Sequence, residues 1–462
     1  MRTIIALIIL FAVMVNQGSA FPSKELKNLW DIPTGHVNSH SQKVYRRGPI
    51  HVEEVYYQSR AYLGKPVKIF GYFCFPAGTK EKLPAILIVH GGGGSADLNN
   101  TMGWAKRGYA VLCIDLPGRG DQRWHSRSTG PDMVVPNLLH TESDMDRNYL
   151  VHAVAAARNG ITYLTQRKEV DPDRIGMIGL SWGGVITLLT NGQDKRLKTA
   201  INVFGAGYIP EGCTWQDRFN VKTSEEMERW LTYIDPKNFL HTQHAPILFI
   251  SGTNDHCYYL PTFQKSYEEV RVAKKLLLIP NLRHRFLPFM QRIAWNWLDN
   301  KLKSGGSFPE VTELPVFEKD GNKLVIPAIA TAASHITKAT LYYTRGQPSR
   351  WTKRYWESIE GYYEDGVYYF GIPKQMVTPE MMYYITAKDN HGSATSTPIR
   401  SIFKVQLFQG QETYAVSSPI KKINIHEPPL QLLGFIKQME FPRLFFSKET
   451  KSYYLVGTEP GS

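Results

Sequence analysis

Six short segments of the chain are apolar on successive residues: Ala85–Val89, Ala110–Asp115, Ile175–Leu180, Thr199–Phe204, Pro246–Ser251 and Lys275–Ile279. A strand that buries one face alternates apolar and polar residues. A strand apolar along its whole length is buried on both faces, the condition of a strand inside a helix-covered parallel sheet. Stretches of helical period lie between these runs. Residues 144–165 repeat Leu150, Val151, Val154, Ala157, Ile161 and Leu164 near helical spacing, with Asp144 and Asp146 early, and 182–191, 261–272 and 286–303 are further helices. Parallel neighbours need crossovers, so this alternation predicts an α/β fold, a mostly parallel sheet with helices on both faces, over residues 50–303. Glu53–Tyr57 and Val67–Phe75 read as two additional N-terminal strands, antiparallel to each other.

The pattern changes at Ser304-Gly-Gly-Ser307-Phe-Pro309, a linker composition. Beyond it, Ala339–Thr344 and Met381–Ala387 read as strands, and Glu364-Asp-Gly366 and Asp389-Asn-His-Gly392 as hairpin turns. Several short strands over this length predict a smaller all-β, sandwich-like domain over 304–405. Residues 406–462 form a C-terminal extension to which the sequence assigns no fold. A chain of 462 residues has room for this division.

At the N-terminus, Arg2, the apolar run Ile4–Val15 and Gly18-Ser19-Ala20 have the order of a signal peptide. The expectation is removal of 1–20, a first domain over 21–303 and a secreted or periplasmic protein. No later stretch is long and apolar enough to span a bilayer, so stable membrane insertion is not expected. The net charge of +13 is spread along the chain without a basic run or a nucleic-acid motif. It is read as a solvated surface, and no nucleic-acid partner is expected. The four cysteines, Cys74, Cys113, Cys213 and Cys257, match no metal spacing. No metal or cofactor is expected, and nothing in the sequence sets an oligomeric state.

Chemistry concentrates at Gly179-Leu-Ser181-Trp-Gly183-Gly184, between a strand and a helix. This is the context of a nucleophile elbow: the chain turns sharply, small residues let neighbouring backbone pass, and the serine hydroxyl stands exposed at a helix N-terminus. An activated serine needs a base, and the base needs an orienting acid. Asp255 and His284 follow the last two strands at the end that faces the elbow. His256 adjoins Asp255, but adjacent side chains diverge; His241 and His244 fall at the wrong end of a strand, and Asp235 reads as a turn residue. Acyl transfer also needs donors for a developing oxyanion. His90-Gly91-Gly92-Gly93-Gly94-Ser95 follows the strand Ala85–Val89, with no Gly-Lys-Ser/Thr ending to make it a phosphate loop. Gly92 and the Trp182 N–H are the chosen donors.

The run Tyr163-Leu-Thr-Gln-Arg-Lys-Glu-Val-Asp-Pro-Asp173-Arg-Ile-Gly-Met-Ile-Gly-Leu-Ser-Trp-Gly-Gly184 resembles the α/β-hydrolase superfamily. It is closest to acetyl xylan esterases, dienelactone hydrolases and the prolyl oligopeptidase catalytic domain. Gly252-Thr-Asn-Asp255 and His284 match the acid and base positions, and Asp115-Leu-Pro-Gly118-Arg119-Gly120 resembles an esterase segment, with Asp121 where those esterases usually have Gln. The resemblance implies a serine hydrolase of carboxylic esters, acting on a small-molecule or carbohydrate ester, an acetylated carbohydrate first. Trp124, Trp215 and Trp230 are candidates to line a sugar cleft. The rivals are a serine peptidase and a non-catalytic hydrolase fold used for glycan binding or adhesion. In such a fold the loops carrying Cys213 and Cys257 leave neighbouring strands at one sheet edge, which suggests a disulfide between them.

Overall fold

Nine strands of the first unit form one sheet, and the consecutively apolar runs are its six adjacent parallel strands, out to the edge strand at Lys274–Ile279. The computed structural model describes residues 28–119, 126–142, 144–305, 308–346, 350–402, 440–447 and 452–458. The expected signal peptide at 1–20 and the stretch 120–125, with Gly120, Asp121 and Trp124, lie outside the described residues. Two units are distinguished: residues through Gly306 together with Arg350–Lys353, and Ser307–Ser349 together with residues from Arg354 onward.

In chain order the first unit comprises β1 (Ser39–Arg47), β2 (Ile50–Tyr62), β3 (Lys65–Pro76), β4 (Leu83–Val89), α1 (Leu98–Ala105), β5 (Ala110–Ile114), α2 (Tyr149–Gln166), β6 (Val170–Leu180), α3 (Trp182–Asn191), β7 (Leu197–Val203), α4 (Ser224–Tyr233), β8 (Ile247–Gly252), α5 (Leu260–Glu269), β9 (Lys274–Ile279) and α6 (Pro288–Leu302). The strand order is β1-β2-β3-β5-β4-β6-β7-β8-β9. The strands from β5 through β9 are parallel, while β1, β2 and β3 pair antiparallel and join the rest through β3–β5. Every residue of β5 and β8 is buried, which is why these strands do not alternate. The order places β6, β7 and β8 side by side, so their C-terminal ends open on one edge. That edge is where ligands of such sheets bind.

Two helices show where the structure departs from the sequence reading. The helix predicted over 144–165 starts at Tyr149. Met145–Arg147 is a separate 3₁₀ turn, and Asn148 caps α2 by accepting from the Leu150 N–H. The periodic apolar set begins at Leu150, so the earlier aspartates lie outside the helix. Sequence reading also missed α4, which opens on a capping box between Thr223 and Glu226.

The second unit is β throughout its described strands. β12 (Lys323–Thr331) pairs with β10 (Glu310–Glu313), β11 (Phe317–Lys319) and β16 (Val367–Pro373), and β16 pairs with β15 (Tyr362–Glu364). In a second sheet, β13 (Ile336–Thr344) pairs with β14 (Glu357–Glu360) and β17 (Met382–Asp389), and β17 takes β18 (Ala394–Ser396) and β19 (Arg400–Ser401). All these pairings are antiparallel. Ile326, Leu341, Phe370 and Tyr383 are buried members of one core shared by the two sheets. The predicted turn at Asp365-Gly366 closes β15 on β16, both residues having positive φ, 49° and 87°. In the extension, β20 (Glu440–Ser447) and β21 (Ser452–Thr458) form an antiparallel hairpin.

Candidate active site

β6 runs directly into Ser181, the N-cap of α3, whose backbone sits at φ 58° and ψ −118°. A non-glycine residue rarely adopts positive φ, and it stays there only when its surroundings hold it. Here the Ser181 N–H donates to Val203 O at 2.8 Å. The glycines on either side are fixed by close approach. A Cβ on Gly179 would lie 1.9 Å from Gly183 O, and one on Gly183 would lie 2.2 Å from Val89 O. Gly183→Ala is therefore expected to cost at least about 2 kcal/mol, because the atom it meets is backbone of a central strand. Thermal denaturation of the purified variant measures this; an unchanged Tm would contradict the packing described.

The glycine loop after β4 lies against the elbow. The Cβ position of Gly91 is 3.7 Å from Ser181 Oγ, and that of Gly92 is 3.0 Å from the Trp182 ring. Trp182 occupies the first position of α3, where an N–H has no acceptor within the helix. The loop is held by His90. The Leu116 N–H donates to its Nε2 at 3.0 Å, so the ring proton is on Nδ1, which faces Gly91 O at 2.7 Å. His90 is thus a neutral structural residue that fixes the loop carrying Gly91 and Gly92.

Asp255 follows β8 and is fully buried. Its Oδ1 accepts from the N–H groups of Cys257 at 2.7 Å and Tyr258 at 3.1 Å, and its Oδ2 meets His284 Nδ1 at 2.8 Å. The two loops that carry this pair are laced together. The Thr253 and Asn254 N–H groups donate to Ile279 O and Leu282 O, and the Asn281 N–H donates to Thr253 Oγ1 at 2.8 Å. A Cβ on Gly252 would lie 2.1 Å from Leu282 O. Arg350–Lys353, which groups with this unit, adds two bonds: Trp351 Nε1 donates to Thr253 O and Asn254 Nδ2 to Thr352 O, each at 3.0 Å.

The rings around His284 connect this pair to the elbow. Phe204, at φ 68° after β7, has its ring centroid 4.7 Å from that of His284. Tyr258 lies 6.2 Å from His284 and 6.0 Å from Trp182. Its buried hydroxyl has no hydrogen-bond partner among the described residues. Sequence reading missed Phe204, Tyr258 and Trp351; the one local signal was Phe204 standing before Gly205-Ala-Gly207 at a strand end. His256 is exposed and its ring lies beside His284 at 5.9 Å, while the carboxylate of Asp255 is engaged with His284. Asp235 accepts from the N–H groups of Tyr208, Ile209 and Lys237 and shapes a turn.

Of the two described tryptophans expected in a cleft, Trp215 lies beside the site, half-buried with its ring 5.0 Å from Trp182 and 5.6 Å from Tyr258. Trp230 is a core residue instead, buried with its Nε1 donating to Leu138 O at 3.0 Å.

The expected disulfide is corrected as well: Cys213 and Cys257 are free thiols. Their backbones do run side by side, with the Thr214 N–H donating to Cys257 O at 3.0 Å. The register, however, opposes Cys213 to Tyr258. Successive residues of an extended segment project to opposite faces, so Cys257 turns away from Cys213. Burial pushes each thiol up to about 12, which keeps both protonated near neutrality. Activity should therefore be insensitive to reductant, and non-reducing peptide mapping should recover both cysteines unpaired; a mapped Cys213–Cys257 bridge would contradict the register.

This is the α/β-hydrolase fold, with a nucleophile-elbow backbone, a glycine loop against it and a carboxylate–imidazole pair on adjacent loops. Its resemblance is to acetyl xylan esterases. Residues 17–207 match the family model described as acetyl xylan esterase (AXE1), and residues 193–343 match that described as PhoPQ-activated pathogenicity-related protein. The chain is 31% identical over 147 residues to the putative hydrolase YtaP of Bacillus subtilis (strain 168), which is 29% of this chain and 46% of that protein. It is 24% identical over 251 residues to the acetyl esterase Axe7A of Xylanibacter ruminicola, 51% of this chain and 56% of that protein. The chain thus spans about half the length of each of these two relatives. Among solved structures, acetyl xylan esterase 1 from Thermoanaerobacterium sp. JW/SL YS485 superposes with a TM-score of 0.52 at 18% identity, over 61% of this chain and 95% of that one. That likeness is one of fold. The sequence similarity is to a family model described as acetyl xylan esterase and to proteins described as a putative hydrolase and an acetyl esterase.

Proposed function

We propose that the protein is an exported serine hydrolase of carboxylic esters, with Ser181 as nucleophile, His284 as base and Asp255 as its orienting acid, and with small acyl groups on carbohydrate as its substrates. The observation that carries the reading is the Asp255–His284 bond set on the same sheet edge as a serine at φ 58°. Ser181 Oγ attacks the acyl carbon while His284 Nε2 takes its proton. The oxyanion is received by the N–H groups of Gly92 and Trp182. His284 then protonates the leaving alcohol, and the acyl-enzyme is hydrolysed by water with His284 again the base. Asp255, held on Oδ1 by two backbone N–H groups, fixes the His284 tautomer that leaves Nε2 free to accept. Acetylated carbohydrate is favoured by the similarity to an acetyl esterase and to the acetyl xylan esterase model. The proposal of export rests on the N-terminal Arg2, Ile4–Val15 and Gly18-Ser19-Ala20 pattern.

The test is a substrate panel: aryl acetate, longer aryl esters, acetylated xylan and an aminoacyl-proline amide. Aryl acetate and acetylated xylan are expected to be turned over, with the amide at least about 10²-fold slower in kcat/KM. Efficient amide cleavage would replace this reading with a peptidase. Because only neutral imidazole accepts a proton, kcat/KM should fall on acidification, and a rate that does not fall in acid while the protein stays folded would exclude His284 as base.

A further inference from the structure

The second unit holds a cavity that the proposed ester chemistry does not use. It opens where two strand crossovers of the sandwich meet. The chain leaves β12 of one sheet and enters β13 of the other through residues 332–335, and it leaves β14 and enters β15 through Gly361. The Gly361 N–H donates to Ala339 O at 3.0 Å, which holds the second crossover on β13. A Cβ at Gly361 would lie 2.8 Å from the Phe370 ring, so this approach requires glycine. The cavity is open to solvent and has a volume of about 510 Å³, within the range of small-molecule sites.

Its lining has two parts. Ala339 and Tyr368 are buried and supply an apolar base. Above them stands Tyr363, 59% exposed, its ring 4.8 Å from that of Tyr368 across the hairpin pair. The tight Asp365-Gly366 turn fixes the backbone of the hairpin, and Tyr363 keeps more than half of its surface exposed beside the cavity. Beside it, Lys338 Nζ and Glu360 Oε2 form a solvent-facing pair at 3.0 Å.

We propose that this cavity binds a neutral carbohydrate. The chemistry needed is an aromatic face for the C–H surface of a sugar ring and, at its edge, adjoining donor and acceptor groups for neighbouring hydroxyls. Tyr363 supplies the first and the Lys338–Glu360 pair the second. The opposite charges of the pair add no net charge to the rim, which the polar residues Ser334, His335 and Thr337 also line. A wholly apolar ligand would cover a charged pair without replacing its water, which is unfavourable. The inference is independent of the active site, because none of its residues belongs to it.

The test is affinity electrophoresis of the full chain in gels containing xylan, galactomannan, xyloglucan or mixed-linkage glucan, none of them acetylated. At least one polymer should retard the native protein. Tyr363→Ala should weaken that retardation at least about tenfold, the scale of one lost aromatic contact, while Tyr363→Phe keeps it. Both variants should retain the native Tm and aryl-acetate turnover. Failure of every neutral polymer to retard the chain would overturn the proposal, as would retardation undiminished in Tyr363→Ala. So would retardation by alginate or pectin only, which would be an effect of the chain's net charge of +13. Loss of retardation on fluorophosphonate labelling would place binding at the elbow, again against the proposal. None of these outcomes depends on whether the esterase assay succeeds.

Discussion

Ser181→Ala is expected to abolish fluorophosphonate labelling of the protein and to lower kcat on aryl acetate by a factor on the order of 10⁴ or more. The size follows from what the serine does in the proposed mechanism. Without its Oγ no acyl-enzyme forms, and the oxyanion donors and the substrate contacts are left to assist attack by water alone. The variant should fold normally. Alanine removes one oxygen from a half-buried side chain, and the elbow backbone is held by the Ser181 N–H to Val203 O bond and by Gly179 and Gly183, which the change leaves in place. Ser181 Oγ caps no helix N–H. An unchanged Tm with labelling and turnover both lost is therefore the expected combination. Labelling that persists in Ser181→Ala would assign the nucleophile elsewhere. Labelling of the native chain without any ester turnover would keep the activated serine and discard the substrate class.

What the sequence made legible follows the range of the forces involved. Strands buried on both faces announce themselves, because every residue of β5 or β8 must be apolar and no choice of partner alters that. The elbow was legible for a similar reason. Gly179 and Gly183 touch backbone within the same strand–turn–helix or in the adjacent β4, so a short motif records the constraint. Asp255 and His284 were found by position, as polar residues at the ends of consecutive strands, and the structure brings them into one hydrogen bond. The features that escaped depend on distant chain. Trp351 bonds to Thr253 across 98 positions of sequence, and nothing near either residue marks the other. The cysteine error has a comparable origin: adjacency of the two loops was foreseen, but a register offset of one residue decides which side chain faces which. Trp230 shows that an aromatic residue alone does not indicate a cleft, since its indole N–H is used to join α4 to the Leu138 carbonyl within the core.

The second large effect is expected at Asp255, the proposed orienting acid. Asp255→Asn should lower kcat by a factor of about 10⁴ while changing KM and Tm comparatively little. The argument rests on how the carboxylate is held. Oδ1 accepts two backbone N–H groups, from Cys257 at 2.7 Å and Tyr258 at 3.1 Å, so in asparagine the carboxamide oxygen must occupy that position. Placing the amide nitrogen there instead would set donors against donors at a fully buried site. The nitrogen therefore takes the place of Oδ2 and presents an N–H to His284 Nδ1 across the present 2.8 Å contact. Nδ1 can then only accept, which moves the ring proton to Nε2. An imidazole protonated on Nε2 has no lone pair to offer Ser181, so the proposed base would be lost although every heavy atom keeps its place. Asp255→Ala separates the two contributions. It removes the acid without imposing the wrong tautomer, but it leaves the Cys257 and Tyr258 N–H groups without their acceptor, so its Tm should fall where that of Asp255→Asn does not. Measured kcat, KM and Tm for both variants decide the matter. An Asp255→Asn enzyme within tenfold of the native kcat would show that the bond to His284 does not set the tautomer used in catalysis, and the orienting role would have to be given up.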